Sequence, residues 1–558
     1  MRRLLARWPD ALCLAVLLLA VAWTMGPAAL HPGSAIVGHQ GHPGLQGDMI
    51  FQWNLWRQLQ EGQLPHLLHS PYLRYPLGQD FALKVAFSLN LAIGIPFLAV
   101  FGLWAGHNLA LVFTLWLNGA AMYALGRWRG ATRGFSLGAA LVFALGPFAA
   151  LKLDQGFTHK LVLFPIPLFL LALLAALREP GRRAWALLFG AAGLVVWAYP
   201  PYLGFCGVLV APLALGELGR RWSWSGWVAP VAVLALLAAG VGAGAWLVAH
   251  RVVAPAALDL SLARFATEGG YLEPARFFRW FPYLDVPHGA PQAFVRGLPL
   301  GVPVLAGLLA LGAAVRPGRE RGLALGALLL LLLMAGPWWL DGGQPVTVAG
   351  QAVPLPLRWL GALPLGAAFR MPIRALPVVQ AGLLLAAAGL LVRLRGLRPP
   401  LRAILPSAAG LVMVLEAWFL FPEYHHLEAG PLAIPAFCED PATLGPGALY
   451  HLPVTTVGPH LQGYVGVLCD RPMVNADLFG EPATAFAPTG ATPEALAAAL
   501  ARLSAAGVET IVVHREEYAV SSQPWQAAAV EAWLTERLGE PRLDERWNLA
   551  AYRLAGPR

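Results

Sequence analysis

The sequence predicts an α-helical polytopic membrane protein of about eleven spans, followed by a small C-terminal α/β domain. Three observations carry that expectation. Of 558 residues, 58% are hydrophobic and 12% charged, against roughly 45–50% and about 25% in soluble proteins. Apolar runs such as 12–30 and 228–249 recur along the chain. Each has about the 20 helical residues that cross a hydrocarbon core some 30 Å thick. Between the runs, arginines gather in six clusters: Arg2, Arg3 and Arg7; Arg127, Arg129 and Arg133; Arg178, Arg182 and Arg183; Arg220 and Arg221; Arg316, Arg319 and Arg321; Arg393, Arg395, Arg398 and Arg402. The positive-inside rule puts all six on the cytoplasmic side.

The gaps 31–106, 151–159, 199–202, 250–297, 341–375 and everything after 421 then face outward, and they hold most of the acids and histidines. Joining them takes spans near 11–30, 107–126, 135–150, 160–177, 184–200, 202–216, 227–249, 298–315, 323–340, 376–392 and 404–421. An odd number of spans leaves the N-terminus inside and the C-terminus outside. The apolar run 89–104 would reverse every later loop if it crossed, so it is expected to be re-entrant or interfacial. Tyr199-Pro200-Pro201-Tyr202 fits a tight turn at the outer interface, where prolines end helices and tyrosines sit at headgroup depth. The first span lacks a small-x-small cleavage site and is long enough to be retained.

This divides the chain into a membrane domain, 1–421, with long outward loops at 31–106, 250–297 and 341–375, and an extracytoplasmic α/β domain, 422–558. In the latter, Thr492 as N-cap, Pro493 at the first helical position and Glu494 in the first turn start a helix that Gly507 ends. A strand over 508–514, a helix over 525–538 ended by Gly539, and a strand over 549–554 follow. No Gly-rich phosphate loop or nucleophile elbow occurs there, so docking or acceptor selection is the expected role. Of four cysteines, Cys13 and Cys206 fall in spans as small packing residues. Cys438 and Cys469 both lie outward, where an oxidising compartment permits a disulfide. No Cys-x-x-Cys pair supports a zinc site.

The charge of +9, from 39 Lys+Arg against 30 Asp+Glu, reports topology, and no basic stretch carries the interleaved aromatics of a nucleic-acid groove. Ionisable residues are scarce within the spans, Glu416 being the clearest. The paired midplane charges of an ion-coupled transporter are not found. Candidate chemistry collects in the outward loops instead.

The first loop reads His31, His39 and His42, then Gly47-Asp48-Met49-Ile50. Asp48 precedes an amphipathic stretch and is expected either to cap it or to act as a general base outside the membrane. His39 and His42 are the candidate metal ligands beside it. The short loop Lys152-Leu153-Asp154-Gln155-Gly156-Phe157-Thr158-His159-Lys160 places an acid and an imidazole between two lysines, a set suited to an acid near a phosphate or to snorkelling interfacial charges. A third loop, with Glu268, Glu273, Arg276, Arg279 and Asp285 among aromatics, reads as an interfacial helix or lid. In Phe369-Arg370-Met371-Pro372-Ile373-Arg374, two guanidiniums four residues apart at a helix start make a phosphate site, or anchor the helix at headgroups.

Taken together, one span, a long loop with the early acid Gly47-Asp48, the phrase Tyr75-Pro76-Leu77-Gly78, paired spans with short outward links, Phe143-Ala144-Leu145-Gly146-Pro147 before Thr158-His159, and the 369–374 motif resemble the GT-C superfamily of integral-membrane glycosyltransferases. The resemblance covers nearly the whole chain. It implies transfer of a sugar from a polyprenyl-phosphate donor to an envelope lipid, glycan or protein acceptor, at the outer face of the cytoplasmic membrane. Asp48 would hold the catalytic acid's position and Asp154 that of a second acid or metal ligand, with Lys152, His159, Lys160, Arg370 and Arg374 binding substrate. The lone Asp154, where some members have an acid pair, leaves dependence on a divalent cation open. Trp338-Trp339-Leu340-Asp341 lacks the Trp-Trp-Asp motif of oligosaccharyltransferases, so protein N-glycosylation is not expected. A lipid-linked-glycan flippase, with a similar groove and no need of Asp48, and a non-catalytic envelope assembly protein are the alternatives.

Overall fold

The computed structural model describes residues 2–63, 69–80, 88–179, 181–218, 304–316, 318–341, 344–358, 372–393, 398–419, 429–440, 444–453, 459–474, 493–518 and 527–554. Among these, five helical segments are long and apolar enough to cross a membrane: Trp8–Met25, Leu89–Trp128, Arg133–Asp154 and Thr158–Arg178, these last two each counted with a short helix of the link between them, and Pro400–Trp418. Pro200–Gly216, Leu305–Ala314 and Leu376–Val392 are shorter apolar helices. The protein is a multi-pass membrane protein. The expected span at 227–249 and the third loop lie outside the described residues.

The main core is a layer of facing helices around Phe135, Leu170, Tyr202, Leu330 and Leu384, all buried. Small residues let the helices approach closely, as lipid-buried interfaces require. A Cβ on Gly138 would meet the backbone of Gly410, and one on Gly410 the backbone of Gly134 and Phe135.

Two apolar stretches are broken by glycine. The run expected to cross over 135–150 stops at Leu145, because Gly146 is extended and Pro147 starts a separate helix, Pro147–Asp154. A one-turn 3-10 helix, Thr158–Leu161, follows before Pro165–Arg178, so 147–161 forms the link between the two spans. Within Leu89–Trp128 the chain turns sharply at Gly102, φ 77°, a left-handed value that favours glycine. The arms fold together: the Phe97 and Phe113 rings are 5.5 Å apart, and a Cβ on Gly106 would lie 2.8 Å from Cα of Leu98. At about 1.5 Å per residue the first arm is about 20 Å long, short of a 30 Å core, as suits a re-entrant or interfacial segment.

The bundle has two chemically different ends. At one, Asp10 meets Arg127 at 3.2 Å and Arg133 at 3.0 Å, and Glu320 pairs with Arg129 and Arg393. Arg319 donates to the Leu177 carbonyl at 3.2 Å. Arginines from separate clusters along the sequence therefore meet at one end, as one membrane face requires. At the other end Asn108 donates to the carbonyls of Pro32 and Ala35, and the acid-bearing loops gather.

The C-terminal part holds a four-stranded sheet in the order Arg542–Asp544, Leu549–Arg553, Val508–His514, Ala448–Leu452, antiparallel except for the last pair. Pro493–Ala505 and Ala527–Leu538 flank it, followed by Gly507 and Gly539 at positive φ. Cys438 and Cys469 form a disulfide with Cα atoms 4.7 Å apart. Ala35–Val37 pairs antiparallel with Ala429–Pro431. Trp53, on the helix Pro43–Gln60, donates its indole N–H to Asp470 at 2.8 Å, and Arg57 reaches the same carboxylate at 3.3 Å. The C-terminal part is thereby fastened to the long loop that follows the first span.

Candidate active site at the link between two spans

Pro43, pre-set for a first helical position, starts the helix Pro43–Gln60, and the ring of His42 caps it by accepting the Gly44 N–H at 3.0 Å. Asp48 is therefore not the N-cap expected from the sequence. It lies in the second turn and is itself 4% exposed. The cap went to His42 because the proline at 43 fixes the start six residues earlier.

What occupies the Asp48 carboxylate comes from the link 147–161. Thr158 donates its hydroxyl to Oδ2 at 2.7 Å, and the His159 backbone N–H donates to the same oxygen at 3.1 Å. His159 Nδ1 lies 2.9 Å from Oδ1. A carboxylate that is ionised only accepts, so in this contact Nδ1 is the donor. Glycines permit this approach. A Cβ on Gly44 would overlap the Gln155 carbonyl, and one on Gly156, at φ 66°, would overlap Leu45.

Cations and aromatic rings surround the pair. Lys152 Nζ donates to Gln155 at 2.5 Å and lies 5.2 Å from the Phe157 ring centre. Lys160 Nζ sits 3.6 Å from that centre, while the rings of His42 and His159 approach it edge-on at 5.5 and 5.9 Å. Arg374 is hydrogen-bonded to the Tyr199 hydroxyl. Tyr199 packs on Tyr202 at 5.0 Å, and Tyr202 donates to the Lys160 carbonyl at 3.1 Å. Burial and the Arg374 charge both work against the Lys152 ammonium. Burial, then the lysines, chiefly Lys152, pull the His42 imidazole below its ordinary value. Such a field favours an anionic ligand.

The structure thus brings together Asp48, His159, Lys152, Lys160 and Arg374. Asp154 stands on the same short helix as Lys152, and its backbone carbonyl accepts the His39 N–H at 2.9 Å. Arg370 lies outside the described residues. Among the described residues no group of three or more His, Cys, Asp or Glu side chains could hold a metal ion. His42 uses Nδ1 as a cap, and the Asp48 oxygens are taken by hydrogen-bond donors, a set that does not fit metal ligands.

The sequence did not flag Gln52 and His107. Gln52, one turn after Asp48, accepts from His107 Nδ1 at 2.9 Å, and the buried His107 lies within electrostatic reach of Asp48. An imidazole inside an apolar run was the available signal. Glu416, the ionisable residue singled out in a span, accepts the Leu305 N–H at 3.2 Å.

No protein-family model and no curated protein matches the chain. Solved structures do. The arabinofuranosyltransferase AftD from Mycobacteria superposes with a TM-score of 0.53 and 17% identity, covering 99% of this chain and 40% of that one. This chain therefore spans less than half the length of that structure. An oligosaccharyltransferase from Archaeoglobus fulgidus (TM-score 0.49, 13% identity, 94% and 69% covered) and ArnT from Cupriavidus metallidurans (0.48, 15%, 99% and 100%) score lower. The fold assignment rests on the first.

Proposed function

We propose that this chain, whose fold is that of the GT-C membrane glycosyltransferases, moves a sugar from a polyprenyl-phosphate donor to a cell-envelope acceptor. The observation that carries this reading is the convergence of a carboxylate–imidazole pair, Asp48 and His159, with the cations Lys152, Lys160 and Arg374 at one end of an apolar bundle. The two halves of the site answer the two needs of the reaction. An acceptor hydroxyl needs a base beside it to become a good nucleophile. A lipid-phosphate leaving group departs as a stable anion and needs positive charge where the charge develops.

Apolar helices beside the link would hold the prenyl chain, which accounts for building the site into a bundle. The site lies at the end opposite the arginine clusters, which supports an outward orientation, with the N-terminus cytoplasmic and the C-terminal sheet outside. Fastened to the Asp48 helix through Asp470, that sheet is suited to presenting the acceptor.

Native mass spectrometry of protein extracted from its own membrane tests the donor class. A polyprenyl phosphate bound to the wild type, and lost from Arg374→Gln and Lys160→Gln, is the expected result. A wild type that retains only bulk phospholipid, unchanged in both variants, would contradict it.

A further inference from the structure

We propose that Asp470, in the C-terminal part, is a positioning residue for the site: its carboxylate fixes how the helix Pro43–Gln60 is turned about its axis, and so where the Asp48 carboxylate points. This rests on the glycosyl-transfer reading.

The backbone singles out the side chain. Pro459–Cys469 ends with the Asp470 N–H on the Val467 carbonyl at 3.2 Å and the Arg471 N–H on the Gly466 carbonyl at 3.0 Å. That pair of bonds needs a left-handed residue just after the helix, a place that glycine fills at least steric cost. Where the same two bonds close other helices the chain follows this preference, with Gly62 after Pro43–Gln60 and Gly130 after Leu89–Trp128. At 470 an aspartate is held at φ 53° instead. A side chain kept where the backbone favours none points to a function for that side chain.

Its contacts supply the function. Trp53 donates its indole N–H to Oδ1 at 2.8 Å and Arg57 Nη1 donates to Oδ2 at 3.3 Å, so both oxygens grip the helix. At about 100° per residue, Trp53 and Arg57 stand roughly 140° and 180° round that helix from Asp48. The helix is therefore held from two sides, by Thr158 and His159 at Asp48 and by Asp470 at Trp53 and Arg57. At about 5–6 Å from the axis, a turn of about 20° moves a side-chain tip by about 2 Å, enough to take a base out of its reach of about 2.6–3.2 Å.

Asp470 is itself anchored. Cys469 is bonded to Cys438, and the Met473 N–H donates to the Tyr72 carbonyl at 2.7 Å. On its other side this segment joins the sheet, where the Leu449 N–H donates to the Pro472 carbonyl at 2.8 Å and the Val474 N–H to the Leu449 carbonyl at 3.0 Å. The Tyr72 ring completes the clasp, 5.6 Å from the Trp53 ring and 5.5 Å from the Arg57 guanidinium. A short segment thus ties the disulfide, the sheet and the helix of Asp48 together.

The test uses the full chain in lipid nanodiscs, farnesyl-phosphate esters of arabinofuranose and mannose as donors, and octyl glycosides as acceptors. Asp470→Gly removes the carboxylate while giving the turn the residue that its backbone prefers, which separates positioning from holding the fold. A Tm within about 4 °C of wild type is expected, because relief at the turn offsets loss of a half-exposed ion pair. The kcat should fall about 10–100-fold with donor KM unchanged. Asp470→Asn tolerates the left-handed turn and keeps an acceptor for the Trp53 N–H, so it should transfer within threefold of wild type. Trp53→Phe should lower kcat like Asp470→Gly, and the two together no further, since both break one contact. Transfer by Asp470→Gly within threefold of wild type, an Asp470→Asn protein no better than it, or effects that multiply in the double variant would overturn the proposal. Hydrogen exchange reads the same clasp without substrate. In Asp470→Gly the amides of 43–60 should exchange at least about tenfold faster while those of Val508–His514 stay as in wild type; unchanged protection over 43–60 would overturn the positioning role. A wild type that forms no glycosidic bond with either donor, with exchange over 43–60 still faster in Asp470→Gly, defeats the glycosyl-transfer reading and upholds the clasp.

Discussion

Removing Asp48 should destabilise the protein more than loss of a helix cap would. In Asp48→Ala, three donors lose their acceptor: the Thr158 hydroxyl, the His159 N–H and the His159 ring. The hydroxyl and the ring can rotate toward other partners, but the backbone N–H is fixed by the 3-10 turn. Leaving that one donor buried costs about 1–3 kcal/mol, and each lost hydrogen bond to a charged group is worth about 1.5–3 kcal/mol before relaxation. A total of about 3–5 kcal/mol follows, against about 1 kcal/mol for a lost cap. Asp48→Asn retains one acceptor oxygen and turns an NH2 toward one of the donors, so about 1–3 kcal/mol is expected. Thermal melts of both variants and of wild type in the same detergent check the order. An Asp48→Ala protein that melts within a degree of wild type would show that the carboxylate does not hold the link in place.

Three further outcomes are expected. Serine at Cys438 and Cys469 should cost about 3–4 kcal/mol, because the bridge closes a loop with a separation of 31 residues; equal chemical-denaturation midpoints for the C-terminal part would contradict this. Burial raises the Glu517 carboxyl to about 7, with the Gln462 hydrogen bond opposing. The folded state therefore holds a proton that the unfolded chain has lost, and stability falls as pH rises from about 4.5 to about 7. Glu517→Gln should accordingly raise the Tm at pH 8 more than at pH 4.5, and an equal shift at both would refute the assignment. For topology, a cysteine at exposed Glu540 should react with a membrane-impermeant maleimide in intact spheroplasts; reaction only after lysis would overturn the orientation.

Much of this architecture was legible in the sequence because it follows from local patterns. Gly507 and Gly539 end their helices as expected, and the strand Val508–His514 has the bounds that its apolar run gives. The disulfide was legible only as two cysteines in the same compartment. Asp48, His159, Lys152, Lys160 and Arg374 were all singled out from the loops, because charges are rare in this chain and each has a residue type suited to acid, base or phosphate work. Their pairing was not legible. Thr158 and His159 meet Asp48 across 110 and 111 residues, and periodicity says nothing about which loops touch. The Asp48 cap was misread because Pro43 sets the helix start. The sequence separated the run 89–104 from the span 107–126, and the turn at Gly102 falls two residues before that boundary. The pairing of Ala35–Val37 with Ala429–Pro431 lay beyond any local signal.

Formation of a new glycosidic bond tests the central claim most directly. Purified protein in liposomes, given a radiolabelled prenyl-phosphate sugar on the outer leaflet and an octyl glycoside, should release prenyl phosphate and label the glycoside in equal amounts. Asp48→Asn should lower both products together, by about 10²–10⁴-fold. Label that crosses the bilayer still attached to its prenyl phosphate, with no labelled glycoside formed, would contradict the account and identify the site as a transport groove.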